Sequence, residues 1–175
     1  MELSERFEEN IVVNAPVELC YEWYRNFELL PGIVHNFKAI RHLKDNTWEW
    51  NLVGEHGDVS YWEMFLATDI PNRLISWRTT SGPKLNMRLD INFTKTGNDQ
   101  TRITAIVSTM SPKSQEGEII KNLYSVNQRA VSKAMDEFKH LIEDYWGQTI
   151  SGRYKGRPAW IRDEPKAQRA HPPSW

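Results

Sequence analysis

The chain lacks most of the residues from which cross-links, metal sites and membrane anchors are made. It has a single cysteine, Cys20, so no internal disulfide can form, and a reducing compartment is implied. No apolar run reaches the ~18 residues of a membrane span. The opening MELSERFEEN is acidic where a signal peptide would be basic, so the expected location is the cytoplasm. The five histidines (35, 42, 56, 140 and 171) are scattered, without HxxxH or HExxH spacing, so no metal ion is expected. GxGxxG, the P-loop pattern GxxxxGKS/T and the nucleophile elbow GxSxG are also missing, and no cofactor is implied. A net charge of −1 gives no general affinity for nucleic acid.

Aromatic residues are what the chain has in unusual number: 8 Trp, 6 Tyr and 6 Phe in 175 residues. Trp often sits where a surface is apolar but not sealed, as on a pocket wall, although filling a core explains it equally well. Charge is unevenly placed. From Gln148 onward six Lys/Arg stand against Asp163 and Glu164, a balance of +4, so residues 1–147 carry −5. The expected organisation is one domain over 1–147, followed by a basic Gly/Pro/Arg-rich tail over 148–175 that lacks periodicity and is largely unstructured.

Periodicity orders the domain. RFEENIVVN reads as a first strand ending at Asn14. NAPVELCYEWYRNF starts a helix capped by Asn14 or Ala15 with Pro16 in its first turn, and ELLPGIV is a second, short one. Strands are predicted over 36–43, 47–53, 58–68, 73–80, 85–95 and 101–110, joined mostly by hairpin-length turns. Trp48, Trp50 and Leu52 share a face, as do Trp62, Met64 and Leu66, and Met87, Leu89, Ile91 and Phe93. That alternation is typical of an antiparallel meander covered on one side. From Gly117 to Trp146 the period changes: Ile119, Leu123, Val126, Ala130, Ala134, Phe138, Leu141 and Tyr145 form the stripe of a long amphipathic helix, with Gly147 as its stop. The predicted class is α+β: a curved antiparallel sheet of six to seven strands wrapped on one long helix, with two short helices. A single helix cannot fill such a sheet, so an internal cavity is expected, and it is the natural ligand site.

Candidate chemistry centres on RLISWRTTSG (73–82). Alternation puts Leu74, Ser76, Arg78 and Thr80 on one face and Ile75, Trp77 and Thr79 on the other. With the Trp face inside, Arg78 is a solvated surface charge. With the other face inside, a guanidinium and a hydroxyl lie in an apolar cavity, where they could polarise a ketone or enolate oxygen. Among the histidines, His56 reads as a turn residue and His140 as solvated, whereas His35 could face the cavity mouth.

IVVNAPVELCYEWYRNFELLPGIVHNF is similar to the opening of the bacterial polyketide aromatase/cyclases, members of the START-like, Bet v 1-like helix-grip superfamily. YWEMF, SWRTTSGPKLNM and the final helix NQRAVSKAMDEFKHLIED extend the resemblance over roughly residues 8–146. It implies a cofactor-independent enzyme that directs aldol ring closure and dehydration of a poly-β-ketone held on an acyl carrier protein, in partnership with a polyketide synthase. It also implies that the Ser76–Arg78 face is inward, with Arg78 polarising a carbonyl, Ser76 supplying a cavity hydroxyl and His35 standing in for a missing acid–base group. Phe37, Trp50, Trp62, Met64, Thr80, Met87 and Asn127 would then bind substrate, and Trp77 would point to the convex side, where it could serve a homodimer contact. Phe37 stands where some members have a Tyr, and Thr80 where they have a Glu. The alternative is a non-catalytic binding or transport protein for a lipid, quinone or other hydrophobic small molecule. A protein-interaction module with a vestigial cavity is a third.

Overall fold

A computed structural model describes residues 2–33, 37–53, 57, 59–81, 86–112 and 128–150. Seven strands form one antiparallel sheet: β1 (Glu2–Val13), β2 (Phe37–Lys44), β3 (Thr47–Val53), β4 (Val59–Ile70), β5 (Leu74–Ser81), β6 (Asn86–Gly97) and β7 (Gln100–Pro112). Their order is β1-β7-β6-β5-β4-β3-β2, a meander from β2 to β7 with the first strand returned beside the last. Helix α1 (Val17–Arg25), a 3-10 turn (Phe27–Leu29) and the short α2 (Leu30–Ile33) lie between β1 and β2, and α3 (Gln128–Ile150) follows β7. The six meander strands begin and end within two residues of the limits read from alternation.

Two hairpin turns need left-handed backbone and place suitable residues there. Asp45 (φ 41°) turns β2 into β3, and Asn72 (φ 64°) turns β4 into β5. Asn and Asp tolerate this region because their short side chains can bond locally. Helix α1 starts from an extended Pro16, whose carbonyl accepts the first helical bond from Cys20. It ends at Asn26, whose backbone N–H and side-chain amide both donate to the Glu22 carbonyl.

Helix α3 departs from expectation in two ways. It continues through Gly147 to Ile150, with Gln148 donating to Asp144 and Thr149 to the Tyr145 carbonyl. A glycine in a helix costs only about 1 kcal/mol, and these bonds carry the helix past it, so α3 crosses the expected boundary at 147. Its buried stripe is Met135, Phe138 and Ile142, and Leu141 is exposed. Residues 113–127, with Ile119, Leu123 and Val126, lie outside the described residues, as does the tail over 151–175.

The core sits on the sheet face that the helices cover. Trp48, Trp50 and Leu52 of β3, Trp62, Met64 and Leu66 of β4, and Ile103, Ala105 and Val107 of β7 all point there. Polar pins hold the layers together. The Asn14 backbone N–H donates to Glu143 of α3 at 2.7 Å, and Lys139 donates to the Val12 carbonyl at 2.8 Å. At the other end of α1, Tyr21 and Arg25 converge on Asp69 of β4. The phenol donates to one carboxylate oxygen, and the guanidinium Nε donates to the other at 2.8 Å. The Asp69 side chain is only 4% exposed.

Removing Asp69 would leave a guanidinium and a phenol without their acceptor. Asp69→Ala is therefore expected to lose about 2–3 kcal/mol in urea denaturation, and Tyr21→Phe about 1 kcal/mol. A loss below about 0.5 kcal/mol for Asp69→Ala would mean the cluster does not hold α1.

Burial also sets an alkaline limit. It pushes the Cys20 thiol up from 9.0 to about 11. A thiol raised in this way contributes fully below its unfolded value, and its contribution drains away as pH climbs from there through the folded value. Stability is expected to fall by roughly 2–3 kcal/mol from this group between pH 9 and 11. Burial shifts the Tyr21 and Tyr24 phenols upward as well, and they add to the slope in any variant that keeps them. The readout is therefore the difference between wild type and Cys20→Ala in urea unfolding across this interval: the variant should show the shallower decline.

Candidate functional site

Residues opposite one another on neighbouring strands share a face, so the sheet register decides which side chains meet the helices. Trp77 of β5 pairs with Leu66 of β4 and Leu89 of β6, and Leu89 pairs with Val107 of β7. All four therefore point toward the helices, and Trp77 is 2% exposed. This reverses the orientation that the resemblance implied. Arg78 lies on the outer face, exposed, opposite Phe65 and Arg88. The physical reason is direct. Burying a large aromatic stabilises by about 1.5–3 kcal/mol, whereas an unpaired buried guanidinium costs several. Facing guanidiniums such as Arg78 and Arg88 also need solvent between them.

The other residues of that predicted set follow Arg78 outward. Ser76 is buried, but on the outer face, where its hydroxyl donates to Asp90, its cross-strand partner. The same Asp90 takes an ion pair from Arg88 at 3.0 Å. Thr80 is exposed and donates to the Glu63 carboxylate at 2.7 Å. With Trp77 inside, the outward dimer contact expected of it has no basis. His35 and Asn127 lie outside the described residues.

What the register brings together instead is an apolar cavity of about 140 Å³ between the sheet and the helices. Phe37, Trp50 and Met87 of the predicted set line it. Trp62 and Met64 face the same way but are fully buried and form no part of its wall. The walls missed by sequence reasoning are Trp77, Tyr24 and Phe27, together with Ala134, Met135 and Phe138 of α3. Trp77 is the hub of one side: its ring meets Phe27 edge-on at 4.7 Å, Trp50 at 4.9 Å and Trp48 at 5.6 Å. Tyr24 closes the other, stacked on Phe138 at 4.5 Å and edge-on to Phe93 at 5.6 Å. A signal for Tyr24 exists in the sequence: it continues the Val17, Cys20, Tyr21 stripe of α1 by three more residues, so it had to face the core.

Tyr24 is the one titratable side chain among the described lining residues. Burial first, then the acidic neighbours Cys20 and Asp136, push its phenol upward, so it stays protonated and serves as a donor rather than a base. The described residues hold no cluster of His, Cys, Asp and Glu that could bind a metal ion, and no described helix is long and apolar enough to cross a membrane. A second hollow, at the start of α3, is open and polar: Gln128 bonds Glu9 there at 2.7 Å, beside Arg129, Lys133 and Asp136.

No protein-family model matches the sequence. An uncharacterised 17.2 kDa protein from the melC2-rnhH intergenic region of Streptomyces lincolnensis is 24% identical over 147 residues, spanning 84% of this chain and 95% of that one. Solved structures share the architecture at low identity. The Zhui aromatase/cyclase from Streptomyces sp. R1128 has a TM-score of 0.66 at 13% identity, over 85% of this chain and 96% of its own. The di-domain ARO/CYC StfQ of the steffimycin biosynthetic pathway has a TM-score of 0.67 at 15% identity, over 83% of this chain and 53% of its own. A START superfamily protein from Mycobacterium smegmatis has a TM-score of 0.65 at 14% identity, over 78% of this chain and 98% of its own. The chain has the START-like helix-grip fold, the fold in which these aromatase/cyclases are built.

A cavity of this size and lining should take up a small apolar ring. Benzene is expected to raise the melting temperature of the wild type in a concentration-dependent way. Ala134→Phe, which fills the space from α3, should abolish that rise. An equal rise in both proteins would place benzene elsewhere.

Proposed function

We propose that this protein is a polyketide cyclase/aromatase that holds the ring-forming segment of a poly-β-ketone in the sheet–helix cavity. The observation that carries this reading is an apolar cavity of one-ring size, walled by Trp50, Trp77 and Phe37, in a fold shared with aromatase/cyclases. The remainder of the chain, with its acyl carrier protein, would stay outside the cavity.

The chemistry asks little of ionisable groups. An enol carbon of the chain attacks a ketone carbon further along. The new C–C bond forms as the ketone oxygen gains a proton and the enol loses its own. Loss of water from the aldol then leaves the double bond that leads to an aromatic ring. Poly-β-ketones enolise unaided, so the protein's contribution is to choose which carbons meet and to keep water out. Rigid aromatic walls suit that task. Arg78, on the outer face, takes no part in this scheme.

A second reading has its own support. Apart from Tyr24, no ionisable side chain lines the cavity among the described residues, as befits a protein that carries a hydrophobic molecule without changing it.

Both readings meet in one assay, in which a minimal polyketide synthase and carrier protein are run with added wild type, Trp77→Ala or Arg78→Ala and the products compared by mass spectrometry. Wild type and Arg78→Ala are both expected to replace the spontaneous mixture with one cyclised, dehydrated species. Trp77→Ala should reduce that species roughly tenfold or more through lost positioning. If no protein alters the mixture at any chain length, the carrier reading takes its place.

A further inference from the structure

The two ends of the sheet are not defended alike. An edge strand presents unpaired N–H and C=O groups, and proteins blunt it with bulges, lysines or a covering element. The β2 edge has all three: register shifts at Phe37/Ala39 and His42/Lys44, the lysines Lys38 and Lys44, and α2 packed against it. The β1 edge has no bulge and no lysine. It pairs with β7 in unbroken register from Glu2 to Val13.

In an antiparallel ladder the N–H and C=O of one residue point to one side, and those of the next residue to the other. The Val12 carbonyl and the Asn14 N–H both turn to α3, where they meet Lys139 and Glu143. The even-numbered residues of β1 therefore present their backbone at the free edge. Helix α3 satisfies that edge only near its end. Among the described residues, nothing bonds the edge-facing backbone groups of Arg6, Glu8 and Asn10.

Pairing with itself suits what this edge offers. A two-fold axis at Phe7 sets Arg6 of one copy opposite Glu8 of the other, twice, and Ser4 opposite Asn10. All four positions are even, so their backbones exchange hydrogen bonds across the axis. Within one chain Arg6 and Glu8 are exposed and 3.6 Å apart, a pairing that contributes little in water. Across the axis each gains a second partner of opposite charge. Phe7, half-buried and packed against the core, meets its own counterpart at the close, non-hydrogen-bonded position. An axis at Arg6, Glu8 or Glu9 instead sets that charge against its own copy. The like-charged placement that remains is Glu5 opposite Glu9, and Glu9 is already bonded to Gln128 of α3 at 2.7 Å.

We propose that the β1 edge from Arg6 to Asn10 is a docking surface for a second copy of this chain, joining two sheets edge to edge through an antiparallel β1–β1 ladder. None of these residues lines the cavity, so the inference stands whether the cavity makes a ring or carries one.

The test is the association of the full chain, measured by sedimentation velocity at concentrations up to about 100 μM, for wild type, Arg6→Glu, Glu8→Arg and the double variant. Wild type is expected to be a dimer that dissociates on dilution. Each single reversal sets like charges across the axis twice and should weaken the dimer roughly tenfold or more, whereas the double variant, with the charges exchanged, should recover wild-type association to within about threefold. Both side chains are exposed, so unchanged melting temperatures verify that the variants fold. A wild type that stays monomeric over the whole range overturns the proposal. A dimer that neither single reversal weakens also overturns it, because the copies then meet elsewhere. So does a double variant that fails to recover, since the two charges would then not face each other.

Discussion

The structure turns on one packing arrangement, the edge-on meeting of Phe27, Trp48 and Trp50 around the Trp77 ring. Aromatic pairs in this geometry add about 0.5–1.5 kcal/mol each beyond the area they bury, and three of them converge on one indole. That cluster ties the turn after α1 to strands β3 and β5. It also fixes the facing of β5, and since a strand has only two faces, it thereby sends Ser76, Arg78 and Thr80 outward. The position of the charge follows from the position of the aromatic.

The same cluster accounts for the cavity. Flat, stiff rings packed edge to face make a wall that cannot collapse inward as aliphatic side chains can. On the opposite side Tyr24 is held between Phe138 and Phe93. From α3 the space is met in part by small residues, Ala130 and Ala134, which do not reach across. The void is therefore the product of rigid aromatics facing alanine, held apart by polar pins at the edges: Asp69 under α1, and Glu143 and Lys139 joining α3 to β1 and the turn that follows it.

Function in such a site comes from shape and a few dipoles. An apolar enclosure strengthens any hydrogen bond formed within it, whereas a charged residue there would incur a large desolvation cost. That is consistent with a chemistry in which the substrate supplies its own reactivity and the protein supplies the conformation. The outer face, with Arg88, Asp90 and Ser76 bonded among themselves, has the ordinary character of a solvated sheet surface.

Alternation together with the turn signals between segments placed the six meander strands to within two residues. The change of period after Gly117 announced the long helix, and the mismatch of one helix with seven strands announced the cavity. Phe37, Trp50 and Met87 were legible as wall residues. What the sequence left undecided was the facing of β5: a period of two specifies two sets of residues but not which is inside. Local evidence left both sets open, the resemblance to aromatase/cyclases favoured the Arg78 set, and the register with β4 and β6 decided for Trp77. Tertiary structure also decided which interior donors find acceptors. Trp48, Trp50 and Trp62 have the same place in the alternating pattern, yet Glu28 and Ser60 happen to reach two of them. A hydrogen bond depends on distances between residues far apart in the chain, and periodicity carries no information about these.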